Sequence, residues 1–475
     1  MTERAGLEAA LAAIEARLDA DAGAELRSER ALILAQLGRS DEARQAYLEI
    51  LARDPAHFAT LNNLGTLLAQ TGYRTAARTV FEQAVAHHPA EPMAHVNLAD
   101  LLVEAGETAR ARQHCEIAIG IDPTHAAAHQ RLGELLLETG ETEAAREHRR
   151  LGFGAQPIQR FPYLGHGEPV DLLVLTSTPA GDVSWRKLVD DEVFRVTTLA
   201  AAFRDPKAPL PPHALVLNAI GDADVSGEDM WAAAAICAET RAPVVNPPAC
   251  CLLTGREANA ARLGALEGVR APRIATLARQ ALAAGAPEGF AFPLLVRSPG
   301  FHTGRHFVRV EEPEFLAASI AALPGPELMV IQHLDACGPD GFVRKYRVML
   351  IGGRLYPLHL VIGPGWKAHY FTGAMADEPS FRAEEARFLR HMPEVLGPKA
   401  MVALEAIQRT LGLDYGGVDF GLGPRGELLL FEANAIMNIV PPDAAPVWDY
   451  RRPAIAAALD AARSMLVERA PAVRT

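Results

Sequence analysis

The segment ELLLFEANAIMNIV, Glu427 to Val440, reads as an apolar strand that closes on an acid and an amide two residues apart. Strand side chains alternate between faces, so Glu432 and Asn434 share one face while Ala433 takes the other. A carboxylate that close to a core is costly unless something positive compensates it, and a divalent cation is one solution. The alternative is a strand that simply runs into solvent. Just upstream, LGLDYGGVDFGLGPRG supplies another strand, bearing Asp419, and a turn at GPRG. Antiparallel neighbours across a short turn can bring Asp419 to the face of Glu432 and Asn434.

The chain of 475 residues is too long for one ordinary core, so several domains are expected. A formal charge of −12 argues against an obligate nucleic-acid binder, which normally carries a basic face. The five cysteines, Cys115, Cys237, Cys250, Cys251 and Cys337, form no CxxC spacing and leave an odd count, so neither a zinc site nor a disulfide framework is indicated. A reducing cytoplasm fits that usage. No run reaches the roughly 18 apolar residues of a membrane span, and the N-terminal MTERAGLEAALAAIEARL lacks the apolar stretch of a signal peptide.

The first third is periodic. Pro55, Pro89, Pro123 and Pro157 step by 34 residues, as do Gly38, Gly72, Gly106 and Gly140. Small residues keep the same register at Ala31, Gly65, Ala99 and Gly133, and again at Ala43, Ala77, Ala111 and Ala145. Each unit therefore reads as two helices joined at the glycine and stopped near the proline, with small residues where the helices cross. NNLGTLLAQTGYRTAARTVFEQAVAHHP, Asn62 to Pro89, resembles the tetratricopeptide repeat, and the resemblance spans about residues 24 to 157. It implies a concave surface for a peptide or protein, with Asn63 and Asn97 at equivalent positions that contact a ligand backbone in some members. Self-association into a homo-oligomer is the rival role for such an array.

Beyond Pro157, VDLLVLTST, HALVLNAIGDAD and APVVNPP read as buried parallel strands of a small α/β domain, with ligands expected at their C-terminal ends. FPLLVRSPGFHTGRHFVRV then gives a strand, a glycine-bearing loop and a return strand. ELMVIQHLDACG gives a strand running into a polar loop, and RKYRVMLIGGRLYPLHLVI a hairpin with GG at its turn.

In this order, and ending on the Asp419, Glu432 and Asn434 constellation, the pieces resemble the ATP-grasp enzymes of the glutathione synthetase and ribosomal-protein glutamate ligase branch. The implied layout is multidomain: an all-α tetratricopeptide solenoid (1–157), a linker (158–169), an α/β pre-ATP-grasp domain (170–250), and an α+β ATP-grasp fold with a first lobe (251–331) and a second lobe carrying the metal site (332–475). The resemblance makes Asp419, Glu432 and Asn434 the Mg2+ ligands. It sets Arg256 and Arg297 where the family usually has phosphate-binding lysines, and Gly300 and Gly304 in a mobile loop over the phosphates. Gln332, His333 and Leu334 fall on the segment whose backbone meets adenine. Lys345 sits where the family holds the ribose with an acid, leaving Asp335 and Asp340 as substitutes. Arg347 matches the arginine facing the transferred phosphate, and Lys367 and His369 extend the same anionic pocket. His359 reads as a core or pocket-wall histidine, and Cys250 and Cys251 as packing residues.

The implied activity is ATP-dependent and Mg2+-requiring: a carboxylate is activated as an acyl-phosphate and attacked by an amine. The array would bind a peptide or protein, and the other substrate would be a small carboxylate or amine. An ATP-grasp kinase and a nucleotide-binding scaffold without turnover are the alternatives.

Overall fold

The computed structural model describes residues 3–18, 23–139, 141–178, 181–301, 304, 306–366, 375–442 and 445–471. Its contacts divide the chain into two units, Met1–Asp171 with Asp191–Thr197 and Phe203–Ala208, and Leu172–Asp190 with Thr198–Ala202 and Pro209–Thr475.

The first unit is built on helices α1 (Glu3–Glu15), α2 (Ala24–Gln36), α3 (Ser40–Arg53), α4 (Phe58–Gln70), α5 (Arg74–His87), α6 (Pro92–Glu104), α7 (Thr108–Ile121), α8 (Ala126–Glu138) and α9 (Thr142–Ala155). From α2 onward they fall into antiparallel pairs whose tightest contacts use the periodic small residues. Ala31, Ala43, Ala77, Ala99 and Ala111 are fully buried, and a Cβ at Gly65 would stand 2.5 Å from the Phe81 ring. Any larger side chain there would push α4 away from α5.

The connector expected at 158–169 is more ordered than its proline and glycines suggest. It holds strand β1 (Ile158–Arg160), and the Phe161 and Leu164 N–H groups donate to Val196 O and Asp191 O, both at 2.9 Å. A sequence that satisfies its backbone donors in this way is part of a fold and not a tether. Its partner region includes a strand the sequence reading missed, β3 (Phe194–Ala200). Residues 191–197 and 203–208 group with the helical unit by their contacts.

In the second unit β2 (Val170–Thr176), β4 (Leu215–Asn218) and β5 (Val244–Val245) pair in parallel, with Leu172 opposite Leu215 and Val216 opposite Val244. Two further sheets follow. The four-stranded one orders β7 (Ile274–Ala278), β10 (Glu327–Gln332), β8 (Leu294–Arg297) and β9 (Phe307–Val310), all antiparallel, over a core that includes Leu294, Val296, Leu328 and Val330. The five-stranded one orders β12 (Arg354–Pro364), β11 (Phe342–Ile351), β13 (Tyr415–Leu422), β14 (Leu428–Asn434) and β6 (Val269–Arg270). The β11–β12 hairpin turns on Gly352 and Gly353, with φ of 55° and 80°, the left-handed pair a two-residue hairpin loop requires. β6 pairs in parallel with β14, so residues 269–270 belong to the five-stranded sheet. The four-stranded sheet starts only at Ile274.

Candidate functional site

Strand register assembles the site. On the five-stranded sheet His359, Arg347, Asp419 and Glu432 stand opposite one another in a single row across β12, β11, β13 and β14. Lys345 precedes Arg347 by two residues and Asn434 follows Glu432 by two, so alternation adds both to that face. The expected convergence of Asp419, Glu432 and Asn434 is present. Bulges between Arg347 and Val348 and between Asp419 and Phe420 sit within the row, a common feature where a sheet re-aims side chains.

Each carboxylate is met by cations. Arg347 donates from Nε and Nη2 to the two Asp419 oxygens at 2.6 and 2.7 Å, and Lys345 Nζ lies 2.6 Å from Oδ2. Burial would raise the Asp419 pKa, but Arg347 and Lys345 outweigh it and hold the carboxyl far below the usual carboxylate range. Glu432 accepts from Arg256 Nη2 and, at 2.9 Å, from Asn434 Nδ2. Its pKa is also lowered, since Arg256 and Arg297 override the burial that would raise it. Burial, followed by the neighbouring Arg347, holds the His359 pKa well below its ordinary value; the side chain is buried and does not line the cavity, so of the two expected places it takes the core.

Arg256 opens the helix Arg256–Gly264, and Asp224 clamps it twice, accepting from its backbone N–H at 3.1 Å and from Nη1 at 3.0 Å. The same helix is tied to β14 by Asn259, whose Nδ2 donates to Ala433 O at 2.6 Å. Asp224 escaped the sequence reading. Its signal was its place in HALVLNAIGDAD, just past the end of β4 where ligand-organising residues gather. Arg297, at the end of β8, is 9% exposed, donates from Nη2 to Phe301 O and lies 5.5 Å from the Phe307 ring centre. Its buried Nε has no hydrogen-bond partner among the described residues, and burial together with the neighbouring Arg256 pulls its pKa down to about 10. A desolvated guanidinium with a spare N–H calls for an anion.

A cavity of about 200 Å³ joins these groups. Its apolar lining includes Ile274, Leu295, Ile331, Val343, Leu430 and Phe431, and Gln332, His333 and Leu334 line it as well. Its charged lining is Arg256, Arg297, Lys345 and Arg347 with Asp419 and Glu432. Such a cavity suits a ligand with a flat apolar part and a polyanionic tail. Three oxygen-bearing side chains on one face also suit a hard divalent cation, although among the described residues no group of three His, Cys, Asp or Glu gathers. The third oxygen here is the amide of Asn434, which already accepts the Ile436 N–H at 3.1 Å.

Other expected residues fall elsewhere. Gly304 lines the cavity but Gly300 does not; a Cβ there would meet Val225 at 3.7 Å. Asp335 caps the Cys337 N–H and Asp340 pairs with Arg344, so neither substitute for the ribose acid reaches the cavity. Lys345 is a partner of Asp419. Lys367 and His369 lie outside the described residues. In the array, Asn97 donates to Asn62 at 2.6 Å, an internal bond that competes with the expected peptide contact.

The helical unit contains tetratricopeptide repeats: models of that repeat match residues 24–57 and 62–126. Among solved structures, MamA (41-end) from Desulfovibrio magneticus RS-1 is 25% identical, covering 30% of this chain and 81% of that one, with a TM-score of 0.27. A MamA structure from AMB-1 is 20% identical, covering 32% and 94%, with a TM-score of 0.28. No curated protein matches the chain. Arrays of this repeat typically mediate protein–protein interaction, and no helix among the described residues is long and apolar enough to cross a membrane.

Proposed function

We propose that the second unit is an ATP-grasp ligase forming carbon–nitrogen bonds and that the repeat array docks its peptide or protein substrate. The reading rests on one observation above the others. One cavity is lined both by apolar side chains that can form a slot and by four cationic side chains together with Asp419 and Glu432, and Asn434 lies two residues beyond Glu432 on the same strand.

In this reading the slot takes the base and the Gln332–Leu334 segment meets its edge. Arg297 and Arg256 bind phosphate oxygens, and Arg347 faces the phosphoryl group in flight. Asp419, Glu432 and Asn434 would hold Mg2+, which when bound neutralises charge on the transferring phosphoryl group. A substrate carboxylate oxygen attacks the γ-phosphorus, giving an acyl-phosphate and ADP. An amine then attacks the acyl carbon, loses a proton and expels inorganic phosphate. The residues supply position and charge, with no covalent attachment to the protein.

The test incubates the full chain with ATP, Mg2+ and a panel of amino acids and peptides, reading ADP release and product mass. A product heavier by one condensed residue is expected. A product heavier by a phosphate alone would replace ligase by kinase, and no ADP with any acceptor would leave a scaffold.

A further inference from the structure

The array carries two matched histidine pairs that its protein-docking role does not require. His95 Nδ1 lies 2.9 Å from His114 Nδ1, and one repeat later His129 Nδ1 lies 2.8 Å from His148 Nδ1. In each pair the inner ring is held by its other nitrogen, His95 Nε2 to Pro89 O at 3.0 Å and His129 Nε2 to Pro123 O at 2.9 Å. A carbonyl only accepts, so each inner Nε2 carries the hydrogen and each inner Nδ1 is left as an acceptor. The outer Nδ1 must then be the donor. Each pair therefore fastens three pieces together: α6, α7 and the turn before α6 in one case, α8, α9 and the turn before α8 in the other.

This arrangement has room for one extra proton at most. Protonating the outer ring on Nε2 keeps the N–H···N bond, whereas protonating the inner Nδ1 sets two N–H groups against each other. The inner rings, 4% and 3% exposed, cannot turn to water instead. We propose that the two pairs make the third and fourth repeats the proton-sensitive part of the array, closed when the histidines are neutral and loosened in mild acid. The surroundings act in the same direction. Burial, followed by the partner histidine, lowers the pKa of His114 and of His148. Arg110 faces His114 and Arg112 faces His148, both opposing charge, while Glu82 favours it at His114 and Glu147 and Glu116 favour it at His148. Unfolded histidines titrate near about 6.5. With fewer protons bound in the folded state, stability is full above that value and falls as pH drops through it.

The chain contains its own control. One repeat before His95 and His114 stand Leu61 and Val80, which pack together in an apolar cluster. Changing His95 and His129 to Leu and His114 and His148 to Val copies that solution. The experiment is hydrogen exchange of the full chain at pH 7 and pH 5.5, corrected for intrinsic rates, with α4 and α5 as internal reference. For one proton excluded per pair, opening of α6 to α9 should rise about 100-fold per pH unit below the histidine range if they open together, and about 10-fold if each pair opens alone. The fourfold variant should fall to the dependence of α4, whose His57 cap on the Thr60 N–H matches the His125 cap that remains on the Ala128 N–H of α8. Wild-type protection that is unchanged between the two pH values, or a variant that still loses protection in acid as the wild type does, overturns the proposal. Nitrogen chemical shifts give a second test that needs no variant. At neutral pH the inner rings should carry hydrogen on Nε2 and the outer rings on Nδ1; any other assignment is contrary.

Discussion

Glu432→Gln is expected to lower ATP-dependent turnover about 1000-fold while leaving the fold in place. The substitution keeps the size and the oxygen of the side chain and removes its charge. Arg256 retains Asp224, so no buried cation is stranded. Glu432 also holds Asn434 through its Oε1, and a Gln can keep that bond. Thermal unfolding should therefore shift little while turnover collapses. Turnover at the wild-type rate would show that the carboxylate has no part in the chemistry.

Asp419→Asn should act on stability as well as on turnover. Asp419 is fully buried and is the shared counter-charge of Arg347 and Lys345. Neutralising it leaves two partly buried cations facing each other, and breaking buried pairs of this kind costs about 3 kcal/mol or more. Urea unfolding should show that loss, and adding Lys345→Gln should return part of it by removing one of the opposed charges. Unfolding unchanged from wild type would mean that solvent already screens the three groups and that the row is not an electrostatic unit.

Much of this molecule could be read from local pattern. The 34-residue step of prolines, glycines and small residues specified the helix pairs, because a solenoid repeats its contacts at its sequence period. Glu432 and Asn434 sharing a face followed from strand alternation, and Asp419 joined them because GPRG leaves room only for a tight hairpin. Non-local pairing was not legible. Nothing in the short Val269–Arg270 run says that it will lie beside β14, more than 150 residues later. The Asp224 clamp on Arg256 likewise joins the end of one strand to a helix 32 residues on, a contact fixed by how the sheets are ordered. The histidine pairs follow the same period. His95 and His129, and His114 and His148, are each 34 residues apart and visible as such in the sequence.

The central claim is that the cavity holds a Mg2+-bound nucleotide. Calorimetric titration of the full chain with a non-hydrolysable ATP analogue, with and without Mg2+, tests it most directly. Saturable binding at one site is predicted, tighter with Mg2+, and weaker by about 10- to 100-fold in Arg297→Ala because a charge-assisted contact to phosphate is lost. Absence of binding at millimolar analogue with Mg2+ present, or equal binding by the Arg297→Ala chain, would contradict it.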